Sequence, residues 1–522
     1  MMVASILGAV YEIRRDLMML QQNSYFNKRY RNWLRESGDT TSGWRIAGMA
    51  IFLYSLATFS HPTAGLLLMG VLGAINMGRY IRKKYKKPLV WTARARRIYA
   101  TAAILCTIVA FVAMLLFGGD TVTGRVYSVA AAFTGCYCAS HIILMAANWL
   151  LRPVEKSINR GYINDARNRL ASMPELRVIG ITGSYGKTST KHFLHRILSE
   201  QFDTLMTPGS FNTTLGVVRT VREYLKPYNE VFIVEMGAKQ PGDIREICEL
   251  VCPEIGIVTA VGPQHLESFG SIENVQATKF ELVDSLPAGG AAFVNDDFEM
   301  IAAREVSNVD CLRYTCRDAR GAQWSASKIE YTPTGTDFEV NGPDGYTLKL
   351  HTRLLGEANI SDLLAAVAVA VYMGVPDDRI RYAVAQIEPV EHRLSVKRTA
   401  GGFTIVDDAY NSNPVGSRMA MEVLGAMQGG KRIVITPGMI ELGERQHELN
   451  AALGGHIAAN TDVAIIVGKY NREAICAGIE ASSRKPETHT VDTFAEAQAL
   501  LAGIVAPGDT VLYENDLPDT FK

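Results

Sequence analysis

The sequence predicts an α-helical transmembrane N-terminal region followed by α/β. Three observations carry this. Apolar runs crowd the first 152 residues. A strand, a glycine-rich loop and a helix follow one another from residue 177. Beyond them, strand-like and helix-like patterns alternate, with glycine turns between. A chain of 522 residues has room for about three domains. They are placed at 1–152 (membrane region), 153–390 (central) and 391–522 (C-terminal).

In the first region, residues 46–60 and 66–78 are apolar and flank His61-Pro-Thr-Ala-Gly65. Together they exceed the ~20 residues of one untilted span, and each alone is short. They read as two short spans or as a re-entrant pair. Clearer spans follow at 99–117 and 126–151, which makes about four segments in all. Basic residues gather at 14–35 and again at 79–97, on either side of the first apolar pair. Basic loops stay in the cytoplasm, so an even number of crossings separates the two clusters. The last two spans then go out and back, and everything after Arg152 is cytoplasmic, where ATP is found. The expected localisation is therefore the cell membrane, multi-pass, with cytoplasmic catalytic domains. The 79–97 cluster sets topology or binds an anionic lipid headgroup. Residues 1–10 are apolar but too short to span and lack a basic start, which suggests an interfacial helix. The spans show no charge that would mark a transport pathway.

Composition narrows the partners. The 53 basic and 53 acidic residues balance, so nothing argues for nucleic acid. Eight cysteines lack metal-ligand or redox spacing and read as reduced structural thiols.

The soluble part opens with Arg177–Thr182 as a short buried strand. Gly183, Ser184, Tyr185, Gly186, Lys187 and Thr188 follow, then a helical pattern from Ser189. This order lets loop amides and a helix N-terminus face anionic oxygens. Lys187 would contact terminal phosphates, and the Thr188 hydroxyl would ligate Mg2+. Only Ser184 and Tyr185 separate the two glycines, whereas the usual spacing is four residues. Residues 404–406, 432–436 and 463–467 read as strands of a smaller, doubly wound unit.

The shortened loop in its surroundings resembles the nucleotide loop of the Mur ligase family. Those enzymes build cell-wall peptide stems and group with folylpolyglutamate and cyanophycin synthetases. Further segments match in order. Ser210-Phe-Asn-Thr-Thr-Leu-Gly216 resembles the asparagine/threonine loop. Phe232-Ile-Val-Glu-Met-Gly237 resembles the strand ending in a metal-binding glutamate. His265-Leu-Glu-Ser-Phe-Gly-Ser271 resembles the histidine segment. Val294-Asn-Asp-Asp297, Gly356-Glu-Ala-Asn-Ile360, Pro389-Val-Glu-His-Arg393 and Val406-Asp-Asp-Ala-Tyr-Asn-Ser-Asn-Pro414 complete the series with Met439-Ile-Glu-Leu-Gly443 and Pro507-Gly-Asp-Thr-Val511. The likeness covers 175–513 and is nearest the branch that adds D-alanyl-D-alanine.

What the resemblance implies is an ATP-dependent acid–amino-acid ligase that uses ATP and Mg2+. Its fold would be a P-loop central domain with a mostly parallel sheet and a smaller Rossmann-like C-terminal domain. Thr188, Glu235, His265 and Lys279 would be the metal set, with Lys279 carrying a carbamate. Lys187, Lys279, His265 and Glu235 would act in catalysis. The nucleotide would meet residues 183–189 (Ser189 included), Asn295, Asn359, Arg393 and Asp408. Plainer readings stand beside these: Glu235 as a surface ion pair, Lys279 as a solvated lysine, Asn359 as a helix cap, Asn295 as a turn former.

Three departures from the family pattern matter. Membrane segments replace the soluble N-terminal domain that holds a uridine nucleotide, which favours a lipid-linked or envelope-precursor acceptor. Ala358 stands where a histidine usually precedes the asparagine. The end reads Glu514-Asn-Asp-Leu-Pro-Asp519 and lacks the usual lysine-glycine-serine-arginine, so the added amino acid or peptide is left open. The alternatives are a membrane-associated poly-amino-acid (poly-glutamate-type) synthase and an ATP-driven transporter.

Overall fold

The computed structural model describes residues 1–58, 62–83, 85, 87–263, 266–317, 321–332, 335–388, 394–409 and 412–516. The chain divides into two compact units, 1–160 and 161–516.

The first unit is helical: α1 (Met2–Gln22), α2 (Asn27–Glu36), α3 (Gly43–Ala57), α4 (Pro62–Arg82), α5 (Ala93–Phe117), α6 (Val122–Cys138) and α7 (Ser140–Leu150). Helix α8 (Arg152–Ala171) carries the chain onward. Two helices, α4 and α5, are long and apolar enough to cross a membrane. Three sequence expectations gain detail here. The opening residues, expected as a short interfacial helix, are part of a longer one. They begin a 21-residue helix whose buried face packs on α4 and α6. Its backbone comes so close to α4 that a Cβ on Gly8 would stand 2.6 Å from Gly73 Cα.

The span expected at 126–151 is a bent pair of helices, α6 and α7, together long and apolar enough for a broken span or a re-entrant loop. It breaks at Ala139 with a 79° bend between α6 and α7. The break has a polar tether: the Ser140 hydroxyl donates to Asp16 at 2.6 Å and accepts from Arg45 at 3.1 Å. Outside the expected spans, the helical unit also buries charge. Arg45 bridges Glu12 and Asp16, each at 3.0 Å, and all three are at most 4% exposed. Helix α3 has 15 residues, so the first apolar pair is one short helix followed by a full-length one.

The second unit begins with β1 (Arg177–Thr182), α9 (Lys187–Leu198), β2 (Thr204–Met206), α10 (Thr214–Glu223), β3 (Val231–Glu235), α11 (Asp243–Val251) and β4 (Ile255–Val258). Then come α12 (Leu266–Phe269), α13 (Ile272–Asp284), β5 (Ala291–Asn295), α14 (Glu299–Ala302), β6 (Asp310–Thr315), β7 (Trp324–Thr332), β8 (Gly335–Asn341), β9 (Thr347–Thr352), α15 (Glu357–Tyr372) and α16 (Asp377–Ala385). These strands make one nine-stranded sheet in the order β2-β3-β1-β4-β5-β6-β7-β8-β9. It is parallel as far as β7 and antiparallel across β7–β9. Strands β1, β3, β4 and β5 are Val/Ile/Ala-rich runs buried on both faces, as parallel strands covered by helices must be. One face carries α9, α15 and α16, the other α10, α11 and α13. Helix α15 is buried almost throughout and packs along α9.

The remainder holds β10 (Ser395–Arg398), β11 (Thr404–Asp408), α17 (Pro414–Ala426), β12 (Arg432–Thr436), α18 (Gln446–Asn460), β13 (Val463–Val467), α19 (Arg472–Glu480), β14 (Glu487–Val491), α20 (Phe494–Ile504) and β15 (Thr510–Glu514). Its six strands run β10-β11-β15-β12-β13-β14, with only the edge strand β10 antiparallel. The three expected strands are β11, β12 and β13.

Candidate active site

The site is built where β1 ends and α9 begins. Gly183 has φ +154°, and a Cβ there would lie 2.1 Å from Thr259 Oγ1. Gly186 has φ +79°, and a Cβ there would lie 2.1 Å from Asp362 Oδ1 on α15. Both glycines are therefore required by conformation and by space. The loop between them is pinned from below. The Ser184 amide donates to the Ala260 carbonyl at 2.7 Å, and its hydroxyl exchanges 3.1 Å bonds with the backbone of Gly262. Ser184 thus shapes the loop and has neither its amide nor its hydroxyl turned to a ligand. Tyr185 is likewise a packing residue, its ring against Gly262 and near Phe298. Burial pushes its phenol well above the ordinary range.

Above the loop, Lys187 opens α9 and folds back, donating to the Gly183 carbonyl at 2.6 Å and the Ser184 carbonyl at 3.3 Å. Thr188, next on the helix, donates to Glu235 Oε2 at 3.2 Å. Glu235 ends β3, beside β1 in the sheet, and is 1% exposed, which removes the surface ion-pair reading. Asn212 Nδ2 donates to its Oε1 at 3.0 Å, and the Thr207 hydroxyl accepts from its amide at 3.1 Å. The carboxylate also meets a residue that sequence reasoning missed. Lys191, fully buried, lies 2.9 Å from Oε2. Burial pushes the Glu235 carboxyl up, but the Lys191 and Lys187 ammoniums and the Lys191 and Asn212 hydrogen bonds outweigh it. The net direction is below the ordinary value.

Lys279 lies on α13, 3% exposed, so it is not a solvated lysine. Burial first, and then the nearby Lys187 charge, push its ammonium down to about 7 despite Asp243 and Glu281. A sizeable neutral fraction at neutral pH is what addition to carbon dioxide requires. Ser189 is buried in the first turn of α9. Asn295, at the end of β5, donates to the Thr259 carbonyl at 2.9 Å and Ser361 Oγ at 3.0 Å, tying the loop's floor to α15. Asn359 donates to the Leu355 carbonyl at 2.8 Å, a local bond at the start of α15, one turn before Asp362. Asp408 accepts from the Leu394 amide at 3.2 Å at the end of β11. His265 and Arg393 lie outside the described residues.

The structure therefore unites residues 183–189, Glu235, Lys279 and Asn295 around one strand–loop–helix turn. Asn359 and Asp408 are found in local backbone bonds. Lys191, Asn212, Thr259 and Asp362 complete the turn. Lys191 had a signal: it lies on the same α9 stripe as buried Leu194, Ile197 and Leu198. A charge there must be paired.

The donor set fits a hard cation. Thr188 Oγ1 and a Glu235 oxygen converge to 3.2 Å, and both are oxygen ligands of the kind Mg2+ takes. The α9 N-terminus and Lys187 fit anionic phosphates.

Residues 181–370 match the Mur ligase middle domain, and 392–513 match the Mur ligase, glutamate ligase domain. The UDP-N-acetylmuramoyl-tripeptide–D-alanyl-D-alanine ligase of Mycobacterium bovis is 31% identical over 65% of this chain and 70% of its own. The Bacillus subtilis enzyme of that name is 26% identical over 65% and 72%. Crystalline MurF from Acinetobacter baumannii superposes with a TM-score of 0.62 at 27% identity, covering 69% of this chain and 77% of that one. MurF from Thermotoga maritima in complex with ADP gives 0.61 at 26% identity, over 68% and 80%. With its phosphate loop inside the matched region and both later domains accounted for, this chain belongs to the Mur ligase family of ATP- and Mg2+-using amide ligases.

Proposed function

We propose that the protein is a membrane-anchored carboxylate–amine ligase that forms an amide through an acyl phosphate. The observation that carries this is the convergence of Lys187, Thr188 and buried Glu235 at the head of α9. A substrate carboxylate oxygen attacks the γ-phosphorus of ATP, the bond from that phosphorus to the β–γ bridging oxygen breaks, and ADP leaves. An amine nitrogen then attacks the acyl carbon, inorganic phosphate departs and the nitrogen loses a proton. Such transfer depends on positioning and charge neutralisation. Lys187 and the α9 amides hold the phosphates. Thr188 and Glu235 would hold Mg2+, which supplies charge neutralisation. Lys279, as a carbamate, would add an anionic oxygen ligand; by family resemblance His265 joins the metal set and Arg393 grips the nucleotide.

The acceptor is a cell-envelope precursor of peptidoglycan type, and the membrane region 1–152 favours a lipid-linked form. Helices α4 and α5 support the anchoring, and the basic clusters favour cytoplasmic catalytic domains, central 153–390 and Rossmann-like C-terminal 391–522. The relatives' names give D-alanyl-D-alanine as the added group. The different residues after Glu514 keep other amino acids and peptides in the test.

Phosphate release by the detergent-solubilised full chain tests the reading. Release should require ATP, Mg2+, a carboxylate precursor and an amine together, with lipid-linked tripeptide preferred over its uridine-nucleotide form. Turnover of the uridine form alone would remove the lipid-linked acceptor. Hydrolysis indifferent to the amine would remove the ligase. Repeated addition of one amino acid would instead identify a poly-amino-acid synthase.

A further inference from the structure

The fully buried Lys191, on α9, touches two other parts of the site at once. Its Nζ rises from the second turn of α9, donates to the Gly209 carbonyl at 2.6 Å and lies 2.9 Å from Glu235 Oε2. Gly209, at φ +51°, belongs to the loop that delivers Asn212 to the other oxygen of the same carboxylate. Glu235 therefore meets Thr188 and Lys191 at Oε2 and Asn212 at Oε1. With side-chain exposures of 0% and 1%, Lys191 and Glu235 have no solvent into which either could swing away.

We propose that Lys191 is a positioning residue that acts as a placeholder cation: it holds Glu235 and the Gly209–Asn212 loop ready for a metal ion, and its fixed charge keeps that ion weakly bound until nucleotide phosphates arrive. The inference rests on the ligase reading above, in which Thr188 and Glu235 receive the metal. A buried carboxylate without a counter-ion is costly to maintain, and Lys191 removes that cost in the metal-free protein. The same ammonium stays in place when a divalent ion binds, and like charges repel. Phosphate oxygens supply the negative charge that offsets it. Metal and nucleotide thus enter as a pair, and bare metal does not lodge in the site. A lysine that matters only for packing would show its effect in K191R as well as in K191M, whereas a charge effect spares K191R, which separates the two roles.

Mn2+ binding by electron paramagnetic resonance, on the full-length protein in detergent with and without ADP, tests this without turnover. Wild type should bind Mn2+ weakly alone and much more tightly with ADP. K191M should bind Mn2+ alone at least about tenfold more tightly than wild type, narrowing the gap. K191R, which keeps the charge and disturbs the packing, should retain the wild-type gap. K191Q, which can still donate to Gly209, serves if K191M does not fold. Equal Mn2+ affinities of the charged and neutral variants, or weaker binding by K191M, would overturn the proposal. Wild type that takes up no Mn2+ even with ADP would overturn the ligase reading itself.

Discussion

Lys187 sets the scale at which the site is most directly tested. Replacing it by alanine removes the donor now resting on the Gly183 carbonyl. ATP-dependent turnover should fall about 10²- to 10³-fold, with an unchanged thermal melt as the control for folding. Lys279 gives a pH dependence. Its ammonium, pushed down to about 7 by burial and by Lys187, is neutral above that value and charged below it. A carbamate forms only on the neutral amine. Activity should therefore drop as pH falls through about 7 and be partly restored by added bicarbonate; a profile flat across that range and indifferent to bicarbonate would argue against the modification. His192 works on stability. Burial, then the Lys191 and His195 charges, push it down to about 4 from an ordinary 6.5. As pH falls below the ordinary value, the unfolded chain takes up this proton first, so its contribution to stability is lost between those two values. Melting temperature should decline over that interval, and the H192Q variant should decline less. Gly183, Gly186, Lys187, Thr188 and Glu235 were readable because phosphate chemistry constrains their types and spacing. The burial of Lys191 had a signal in the apolar stripe of α9, but its partner did not, because the carboxylate that offsets its charge is 44 residues away in sequence, at the end of another strand.

At the level of elements, alternation and glycine punctuation located the parallel strands because a strand buried on both faces admits little except β-branched and small residues. The helical unit was less legible. An apolar run looks the same whether it is straight or broken. The bend at Ala139 depends on Ser140 reaching Asp16 and Arg45, which lie in α1 and α3. The length of α1 was hidden for a related reason: Glu12, Arg15 and Asp16 look like an exposed end until Arg45 and Asp39 neutralise them. That network has a measurable weight. Breaking it one-sidedly with R45M leaves buried Glu12 and Asp16 with Arg15 as their remaining cation, and should destabilise the helical unit by about 3–5 kcal/mol. Thermal unfolding in detergent would read this as an early transition. Loss of less than about 1 kcal/mol, the usual worth of a solvated pair, would mean that water reaches the cluster.

For the whole molecule, the order of motifs along 175–513 was enough to identify the family, since many weak signals in sequence multiply. The substrate was not legible, because two of the three departures from the family pattern lie at the two ends of the matched region. The full chain should sediment with membranes, resist extraction by alkaline carbonate and yield to detergent; release by carbonate would remove the spanning role of α4 and α5. Gly8 and Gly73 set a further limit on this protein. Where α1 and α4 meet, the main chains nearly touch, and a Cβ on Gly73 would stand 2.1 Å from the Ala4 carbonyl oxygen. No side chain is left at that crossing to trim, so every replacement is an addition with nowhere to go. A library randomised at both positions and sorted for folded protein should return the starting pair, and the crossing would be a fixed point about which the rest of the helical unit is free to vary.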